Sequence, residues 1–510
     1  MATATRETER KYEAEPDAPH PDLSDLPDVA SRADTGEVTL EATYYDTASL
    51  DLLRAGITLR RRTGGADAGW HLKLPSGKDS RTELRLPLGG DGPPEEFTGL
   101  LTARLLGREV SPVATITTAR SVTTLADTRG EPLAEVAFDR IAAARPGGSA
   151  SPTRWDEVEF ELAEGARDGA RLLKAADRSL RRAGLRRSRR RTKLEAVLAG
   201  SLPVPASREE LSPRSSTAEV LAAYLGDQFE ELRLQDARVR REEPEAVHDM
   251  RVAARRMRAV LQEFGRLFQP VPTEILINEL RWLGQELGRP RDEEVLGGLL
   301  LAQLGTVEGA SVMGLVQARI AGHYATSTAA ATTEMHRALA SERYLDLIGA
   351  LEAFVACPRI TVATDGPAGE VLPPLVDRSR RRVDRRMRRA RQAPRGTARD
   401  QALHGARKAA KRARYAAEAV SPVIGKKARR TAKSFKRVQS ALGDHHDAVI
   451  AADALRDLAV RARGEGESTF TYGLLHERQA WRARRLEKQA RRAWKRSRAS
   501  KRTAWMRTDH

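Results

Sequence analysis

The sequence predicts an α+β protein with an N-terminal antiparallel β-barrel and a C-terminal all-α domain. Up to about residue 162, short segments alternate apolar and polar residues between Gly- and Pro-rich loops. From residue 218 onward, long segments have helical periodicity instead. A chain of 510 residues is also too long to fold around a single hydrophobic core, so two or three domains are expected.

Eight segments carry the period-two pattern of β-strands. They are ETERKYE, EVTLEATYYD, ITLRRR, WHLKL, RTELRLPL, ATITTARSVTTL, AEVAFDRI and WDEVEFEL. Loops such as PLGGDGPPEE and RPGGSASPT separate them. About eight strands in one small domain favour a closed or nearly closed barrel. A helix, ARDGARLLKAADRSLRRAG, follows, and the predicted domain spans residues 1–199.

The rest of the chain divides at two loop-like stretches. GSLPVPASREELSPRSST (200–217) has the composition of a linker, and residues 218–500 form the predicted helical domain. PRITVATDGPAGEVLPP (358–374) is rich in Pro and Gly and separates helical halves at about 218–357 and 375–500. Residues 501–510 form a basic tail.

The charge is distributed unevenly. Residues 1–200 hold 31 Lys and Arg against 32 Asp and Glu, whereas residues 201–510 hold 57 against 38, a net charge of +19. This asymmetry predicts a polyanionic partner for the second part. Nucleic acid is the less favoured partner, because the chain is only 5% aromatic and has no base-stacking motif.

The chain is expected to be cytoplasmic. Its single cysteine, Cys357, excludes an intrachain disulfide framework and fits a reducing compartment. The N-terminus lacks the apolar stretch of a secretory signal, and VLGGLLLAQLG (295–305) is too short to span a bilayer. No membrane partner is expected, and protein partners are not indicated.

A basic motif occurs twice in the helical part. VHDMRVAARRMR (247–258) and LHGARKAAKRAR (403–414) each place basic residues three, seven, eight and ten positions after a histidine. LGRPRDEEV (287–295) and LGDHHDAVI (442–450) repeat as well. The spacing predicts two copies of a bundle of about four helices, each with a basic stripe beside its buried seam. If the copies face each other, these stripes line a basic groove or pore that suits a chain of phosphates.

Residues 213–500 resemble a CHAD domain, the conserved histidine α-helical domain, through both pairs of motifs. The resemblance implies two similar helical bundles whose basic faces bind inorganic polyphosphate. The matching residues are His248, Arg251, Arg255, Arg256, Arg258, His404, Arg407, Lys408, Lys411, Arg412 and Arg414. The run Arg378–Arg391 either extends this basic surface or forms a solvated helix face.

The first predicted strand carries an unusual set of charges. Glu7, Glu9 and Lys11 share one face by the period of two, and the same parity recurs on later strands. Two carboxylates and a lysine suit a site where a divalent cation meets a phosphate. Parity alone leaves open whether these faces point into the barrel or into solvent.

Glu7-x-Glu9-x-Lys11, followed by LRRR, WHLKL, RTE, AEVAFD and VEFEL, resembles the opening and later order of the CYTH domain, or triphosphate tunnel metalloenzymes. The resemblance implies an eight-stranded antiparallel β-tunnel with its charged side chains inside. Many members hydrolyse triphosphates with Mg²⁺ or Mn²⁺, and others make cyclic AMP.

The resemblance also implies a role for each matching residue. The metal ligands would be Glu7, Glu9, Glu157, Glu159 and Glu161. Phosphates would be bound by Lys11, Arg60, Arg62, Lys73, Arg81, Arg120 and Lys193. Glu83 and Asp139 would orient those cations or help to activate water. Arg85 stands where many members have a second acidic residue, and the tract Arg186–Arg191 obscures the closing basic group.

The expected function is metal-dependent hydrolysis of inorganic triphosphate or short polyphosphate, combined with polyphosphate binding by the helical domain. Two alternatives remain from the sequence. One is a non-catalytic protein that associates with polyphosphate granules. The other is a triphosphatase that acts on an organic triphosphate.

Overall fold

The computed structural model separates into two compact units, Met1–Ser207 and Arg208–His510. It describes residues 2–15, 21–23, 25–77, 79–90, 92–146, 152–198, 200, 210–358, 361, 366–499 and 503–506. Residues 201–209 of the predicted linker and residues 501–502 and 507–510 of the predicted tail lie outside the described residues.

Ten strands are described in the first unit, and eight of them close into an antiparallel barrel. They are β1 (Thr3–Ala14), β2 (Ser31–Asp34), β3 (Val38–Asp46), β4 (Thr58–Thr63), β5 (Gly69–Pro75), β6 (Ser80–Leu86), β7 (Ser111–Ala126), β8 (Pro132–Ala144), β9 (Thr153–Leu162) and β10 (Arg186–Arg187). The barrel order is β1-β6-β5-β4-β3-β7-β8-β9, and β9 pairs with β1 to close it. β2 adds to β7 and β10 to β1 outside this ring. The predicted closed barrel is confirmed.

The outer face of the barrel is apolar where a helix covers it. α4 (Gly169–Arg182) packs Leu172 and Leu180 against Tyr12 of β1 and Phe160 of β9. Because side chains alternate along a strand, burying these residues outside the ring turns their charged neighbours inward. Each fully buried Phe or Leu contributes about 1.5–3 kcal/mol. The apolar core of this unit therefore fixes the direction of the charged faces.

A short helix closes one end of the barrel. α5 (Lys193–Leu198) packs Leu194 and Val197 against inward-facing Ile116 and Ile141, within an apolar cluster that includes Tyr44. Three further short helices, α1 (Asp51–Arg54), α2 (Glu95–Leu100) and α3 (Thr102–Leu105), lie in the loops. At this end the interior is therefore apolar, and the charged cavity begins beyond it.

The second unit is helical, as predicted. Its first half contains α6 (Thr217–Arg240), α7 (Ala246–Glu263), α8 (Pro270–Glu286), α9 (Gly288–Leu304), α10 (Val316–Leu339) and α11 (Glu342–Ala356). Its second half contains α12 (Ala368–Gln392), α13 (Thr397–Ala419), α14 (Ser421–Ile424), α15 (Lys426–Gly464) and α16 (Phe470–Ser497). Single 3₁₀ turns occur at Gly265–Leu267, Gly309–Ser311 and Ala504–Met506. None of the described helices is both long and apolar enough to cross a bilayer.

The two basic motifs occupy α7 and α13, which contact each other. Their predicted apolar seams are buried, for example at Met250 and Met257 in α7 and at Leu403 and Ala410 in α13. Small alanines in the α13 seam allow neighbouring helices to approach closely. The basic stripes therefore flank packed seams.

Two details of the repeat differ from the prediction. α12 begins at Ala368, so Pro373 and Pro374 lie inside a helix and not in the predicted interruption 358–374. Burial of Leu372 and Val376 at helical spacing outweighs the backbone hydrogen bonds that the prolines remove. In addition, the first half contains six helices where about four were expected.

The matching LG motifs have different local structures. Pro290 lies in the first turn of α9, and α8 ends just before it at Glu286. Proline has no backbone N–H, so one helix does not continue regularly through this point. His445 stands at the equivalent place in the second copy, and α15 continues through it as one helix of 39 residues.

Candidate functional site

The barrel encloses a charged cavity of about 180 Å³. Its cations are Lys11, Arg60, Arg62, Lys73, Arg81, Arg85, Arg120 and Lys193. Its carboxylates are Glu7, Glu9, Asp67, Glu83, Glu135, Glu159 and Glu161, and Tyr44, Thr58 and Thr192 complete the lining. Of the residues that the CYTH resemblance assigns to the tunnel, only Asp139 and Glu157 are outside this lining, and both contact Lys193 behind it.

The inner carboxylate cluster, consisting of Asp139, Glu157 and Glu159, surrounds one ammonium group. Oxygens of the three residues lie within 4.8 Å of one another, the spacing of a metal site. The Nζ atom of Lys193 lies 2.9 Å from Asp139 and 2.7 Å from both Glu157 and Glu159. Although burial opposes the charge, these carboxylates raise the pKa of Lys193 well above its usual value. Lysine therefore occupies the position that a metal ion would take.

Glu159 also binds two further cations. Nη2 of Arg120 donates hydrogen bonds of 2.6 Å to Glu159 and to Asp139, and Nζ of Lys11 donates to Glu159. Burial disfavours the ionised carboxylate, but Lys11, Lys193 and Arg120 hold the pKa of Glu159 well below its usual range. Glu159 is therefore ionised and neutralised by the chain's own cations.

The outer carboxylate cluster, consisting of Glu7, Glu9 and Glu161, is less well neutralised. Glu161 faces Glu9 across the β1–β9 pairing, and among the described residues it has no ion-pair partner. Burial, followed by the charge of Glu7, raises the pKa of Glu161 to about 8. Crowded carboxylates with too few cations suit a hard divalent ion with oxygen ligands. Among the described residues, only the inner cluster brings three carboxylates within 4.8 Å of one another, and Lys193 already lies there. A divalent cation would therefore displace Lys193 from the inner cluster or draw the outer carboxylates together.

A second network ties Glu7 to Glu83. Nζ of Lys73 lies 2.6 Å from Glu7 and 3.4 Å from Glu83. Arg85 donates to Glu83 at 2.5 Å and lies 3.9 Å from Glu7. The pKa of Glu83 lies below its usual range, because the hydrogen bond with His71 and the charges of Lys73 and Arg60 outweigh the opposing effect of burial. Glu83 is therefore a strong anchor for cations and a weak base.

The predicted site set omitted Tyr44 and Arg85, which line the cavity, and His71, which lies behind it on Glu83. It also omitted Thr58, Asp67, Glu135 and Thr192 of the lining. The buried His71 makes a 3.0 Å hydrogen bond through Nδ1 to Glu83 and a 2.9 Å bond through Nε2 to the carbonyl of Asp67. Tyr44 accepts a 3.2 Å bond from Arg60, and Arg85 lines the cavity. Strand alternation in the sequence already places His71 and Arg85 on the face of Lys73 and Glu83, but no role at the site was predicted for either.

The remaining predicted tunnel cations, Arg62 and Arg81, line the cavity as well. Arg62 is ion-paired with Asp67, and Arg81 donates a 2.8 Å bond to the carbonyl of Arg191. The backbone carbonyl of Arg191, in the Arg-rich tract, thus holds Arg81 in place. Lys193, two residues further along the chain, provides the ammonium group of the inner carboxylate cluster.

The helical unit contains a basic groove of about 420 Å³ between α7, α8 and α13. It brings together Arg251, Arg255, Arg258, His404, Arg407, Lys408, Lys411 and Arg412 from the predicted set. His248, Arg256 and Arg414 lie outside it. His248 is exposed, and Arg256 and Arg414 both flank Tyr415 and contact Glu418. The two copies therefore contribute different positions to one groove.

The groove holds more cations than its carboxylates neutralise. Arg251 pairs with Asp292 at 2.7 Å and Arg412 with Glu263 at 3.2 Å. No ion pair within the described residues involves Arg407 or Lys411. Burial, followed by the charges of neighbouring arginines, lowers the pKa of Lys411 to about 6. The site is therefore prepared for anions from outside the protein.

The repeated LG motif makes room for a groove arginine. A Cβ atom on Gly288 would lie 2.9 Å from Nη2 of Arg251, and one on Gly443 would lie 3.6 Å from Nε of Arg407. The contact at Gly288 leaves no room for a Cβ atom, whereas the distance at Gly443 is an ordinary van der Waals contact, so glycine is needed for packing of the guanidinium only in the first copy. Arg281 of α8 also lines the groove and was missed, since α8 carries no copy of the motif.

The comparisons with known proteins agree with this two-unit structure. The model of the CYTH domain matches residues 5–190, and that of the CHAD domain matches residues 223–456. Uncharacterized protein MT2285 of Mycobacterium tuberculosis is 36% identical over 95% of this chain and 94% of its own length. PptA from Streptomyces chartreusis is 24% identical over 55% of this chain and 100% of that chain, with a TM-score of 0.47.

The CHAD domain from the plant Ricinus communis is 28% identical over 57% of this chain and 96% of that chain, with a TM-score of 0.45. The full-length relative, which aligns across both units, shows that they occur together in another protein. The chain belongs to the family of proteins in which a CYTH domain, a fold of triphosphatases and adenylyl-cyclase-like enzymes, is followed by a CHAD domain.

Proposed function

We propose that the barrel hydrolyses inorganic triphosphate or short polyphosphate with Mg²⁺ or Mn²⁺, and that the basic groove binds polyphosphate. The observation that supports the first part is the cavity itself, whose lining combines eight cations with seven carboxylates. A polyanion needs such cations to enter an enclosed site, and carboxylates hold the divalent ion.

The size of the cavity favours an inorganic substrate. Its volume of about 180 Å³ is below the roughly 300–1,000 Å³ of pockets that enclose drug-sized organic ligands. Its lining contains one aromatic ring, Tyr44, whose hydroxyl is already bonded to Arg60. A linked chain of phosphates therefore fits these walls better than a nucleoside triphosphate.

The chain's own residues have distinct tasks in this proposal. Glu7, Glu9 and Glu161 would hold the metal, which when bound neutralises phosphate charge and orients the attacking water. Arg60, Arg81 and Arg62 would bind phosphate oxygens with guanidinium forks. Glu83 and Asp139 are positioning residues, because the pKa of each is lowered, against burial, by the cations that it orients.

Phosphate release from inorganic triphosphate tests the catalytic part. With Mg²⁺ or Mn²⁺ we expect turnover by the wild type and, for Glu161→Gln, at least about a tenfold loss at limiting metal, since one metal ligand is removed. Lys11→Ala should lose activity at any metal concentration, because it removes the ammonium group paired with Glu9 and one of the two paired with Glu159.

The matched control is Lys408→Ala, a groove variant that leaves the barrel unchanged. Equal rates for the wild type, Glu161→Gln and Lys11→Ala would refute the catalytic assignment. ATP is included as a second substrate, and a preference for ATP over triphosphate would refute the choice of an inorganic substrate.

The groove assignment has a control within its own motif. Arg255→Gln with Arg407→Gln should weaken polyphosphate binding about tenfold or more, because each removes a charged hydrogen-bond donor from the groove. Arg256→Gln with Arg414→Gln changes the same helices and the same charge outside the groove. Binding measured by calorimetry should remain within about twofold of wild type for this pair. Equal losses for both pairs would contradict a localised site. Association with polyphosphate granules follows from the same proposal.

A further inference from the structure

The first three turns of α15 carry a second concentration of positive charge. Six residues of this segment lie within an arc of about 120° on the helix, and the set extends about 16 Å. The α15 stripe consists of Lys426, Arg429, Arg430, Lys433, Lys436 and Arg437. All six side chains are exposed, and none of them lines the groove.

The charges of the α15 stripe are not balanced by carboxylates. The sequence has no Asp or Glu between Glu418 and Asp444. Among the described residues, none of the six stripe cations forms an ion pair. In the Arg-rich helix α12, by comparison, Asp377 and Asp384 pair with Arg380 and Arg381, while exposed arginines such as Arg385 and Arg388 form no ion pair among the described residues. The α15 stripe differs from α12 in that its segment holds no carboxylate at all.

The arrangement of the stripe opposes the stability of its own helix. Lys426 and Arg430, and likewise Lys433 and Arg437, are like charges at i,i+4 spacing, which repel. Lys426 also lies in the first turn of a helix of 39 residues, where the macrodipole favours acidic residues. A multivalent anion bound along this face would relieve both effects. Helix stability alone therefore does not account for the pattern.

We propose that the α15 stripe is a second anion-binding surface, on which a polyphosphate chain too long for the groove continues along the helix. This inference rests on the proposed groove function. α15 packs against α13, which carries six of the fifteen residues that line the groove, so both surfaces belong to one compact unit. Two linked sites bind a long chain more tightly than either alone, because the second contact is intramolecular.

The chemistry of the stripe favours a phosphate chain without bases or lipids. Ammonium and guanidinium groups bind phosphate oxygens, and the stripe exposes no aromatic ring on which a base could stack. The one aromatic residue of the segment 426–437, Phe435, is buried. It also exposes no large apolar side chain of the kind that inserts into a membrane surface.

The test combines four substitutions in the full chain, K426Q, R430Q, K433Q and R437Q. Binding is measured with inorganic tripolyphosphate and with long-chain polyphosphate over a range of salt. We expect about tenfold or greater loss of affinity for the long chain and no change for tripolyphosphate. The slope of log affinity against log salt should fall by about 3, at roughly 0.7 for each phosphate contact removed.

The matched control removes four cations that are paired with carboxylates, through R289Q, R337Q, R343Q and R456Q. The same loss in this control would attribute the effect to net charge and overturn the proposal. Unchanged long-chain affinity in the stripe variant would also overturn it. If the variant instead lost binding to duplex DNA and kept long-chain polyphosphate, nucleic acid would be the ligand. The groove pair Arg255→Gln and Arg407→Gln tests the proposed function separately, since it should weaken both phosphate ligands.

Discussion

Lys193→Ala lowers the free energy of unfolding of the barrel unit by about 3–5 kcal/mol, because it leaves buried charges without their partner. The ammonium of Lys193 lies within 2.9 Å of Asp139, Glu157 and Glu159. Arg120 and Lys11 still neutralise Glu159, but among the described residues no other cation is ion-paired with Glu157. Denaturant unfolding of the full chain, followed by a probe in the barrel, measures the change.

Divalent cations should restore part of this loss. Without the ammonium, the inner carboxylate cluster has three oxygens within 4.8 Å and an empty centre, which suits a metal ion. We expect Mn²⁺ to stabilise Lys193→Ala more than it stabilises the wild type. Lys174→Ala, a change at an exposed lysine of α4, is the control and should shift stability by less than about 0.5 kcal/mol. Equal stabilisation of wild type and Lys193→Ala by Mn²⁺ would contradict this account of the inner cluster.

Binding of polyphosphate in the groove should take up about one proton at mildly alkaline pH. The pKa of Lys411 is lowered to about 6 in the free protein by burial and by Arg255, Arg407, Arg251 and Arg258. Above that pH the side chain is mostly neutral. A bound polyanion offsets the arginine charges and raises the pKa, so the complex holds a proton that the free groove lacks. Affinity should therefore fall about tenfold per pH unit between the two pKa values.

Calorimetric titration at about pH 8.5 in buffers of different ionisation enthalpy measures this uptake, because histidines with an ordinary pKa are neutral there. Lys411→Met should abolish the uptake. Lys408→Met removes an exposed lysine of the same groove and should retain it. A release of protons, or an uptake that persists in Lys411→Met, would contradict this role for Lys411.

The sequence predicted the barrel well because its strand pattern is local. Period-two alternation places Glu7, Glu9 and Lys11 on one face whatever the rest of the chain does. It could not decide which face points inward, since that depends on where α4 and α5 pack. The neutralisation of the inner carboxylates by Lys193 was unpredictable for the same reason. Lys193 reaches them only because α5 docks on the barrel end.

The sequence predicted a basic groove formed by both copies of the motif, but it did not predict which residues line that groove. The repeat suggested that equivalent residues contribute equally, yet His404, Arg258 and Arg412 line the groove while His248, Arg414 and Arg256 do not. Two copies that share one groove, with α8 on one side, cannot offer identical surroundings to equivalent positions. Helical projection describes a single helix, whereas the groove depends on how α7 and α13 pack together.

The apolar seal that α5 forms over one end of the barrel limits how a polymer can be handled. Among the described residues, Leu194 and Val197 close this end of the barrel, so under the proposed function a linear polyphosphate would enter by one of its termini. Interior linkages of a long chain would then stay outside until the units ahead of them had been cut away. Shortening would thus proceed stepwise from the tip, and each fragment would have to leave through the opening by which it came.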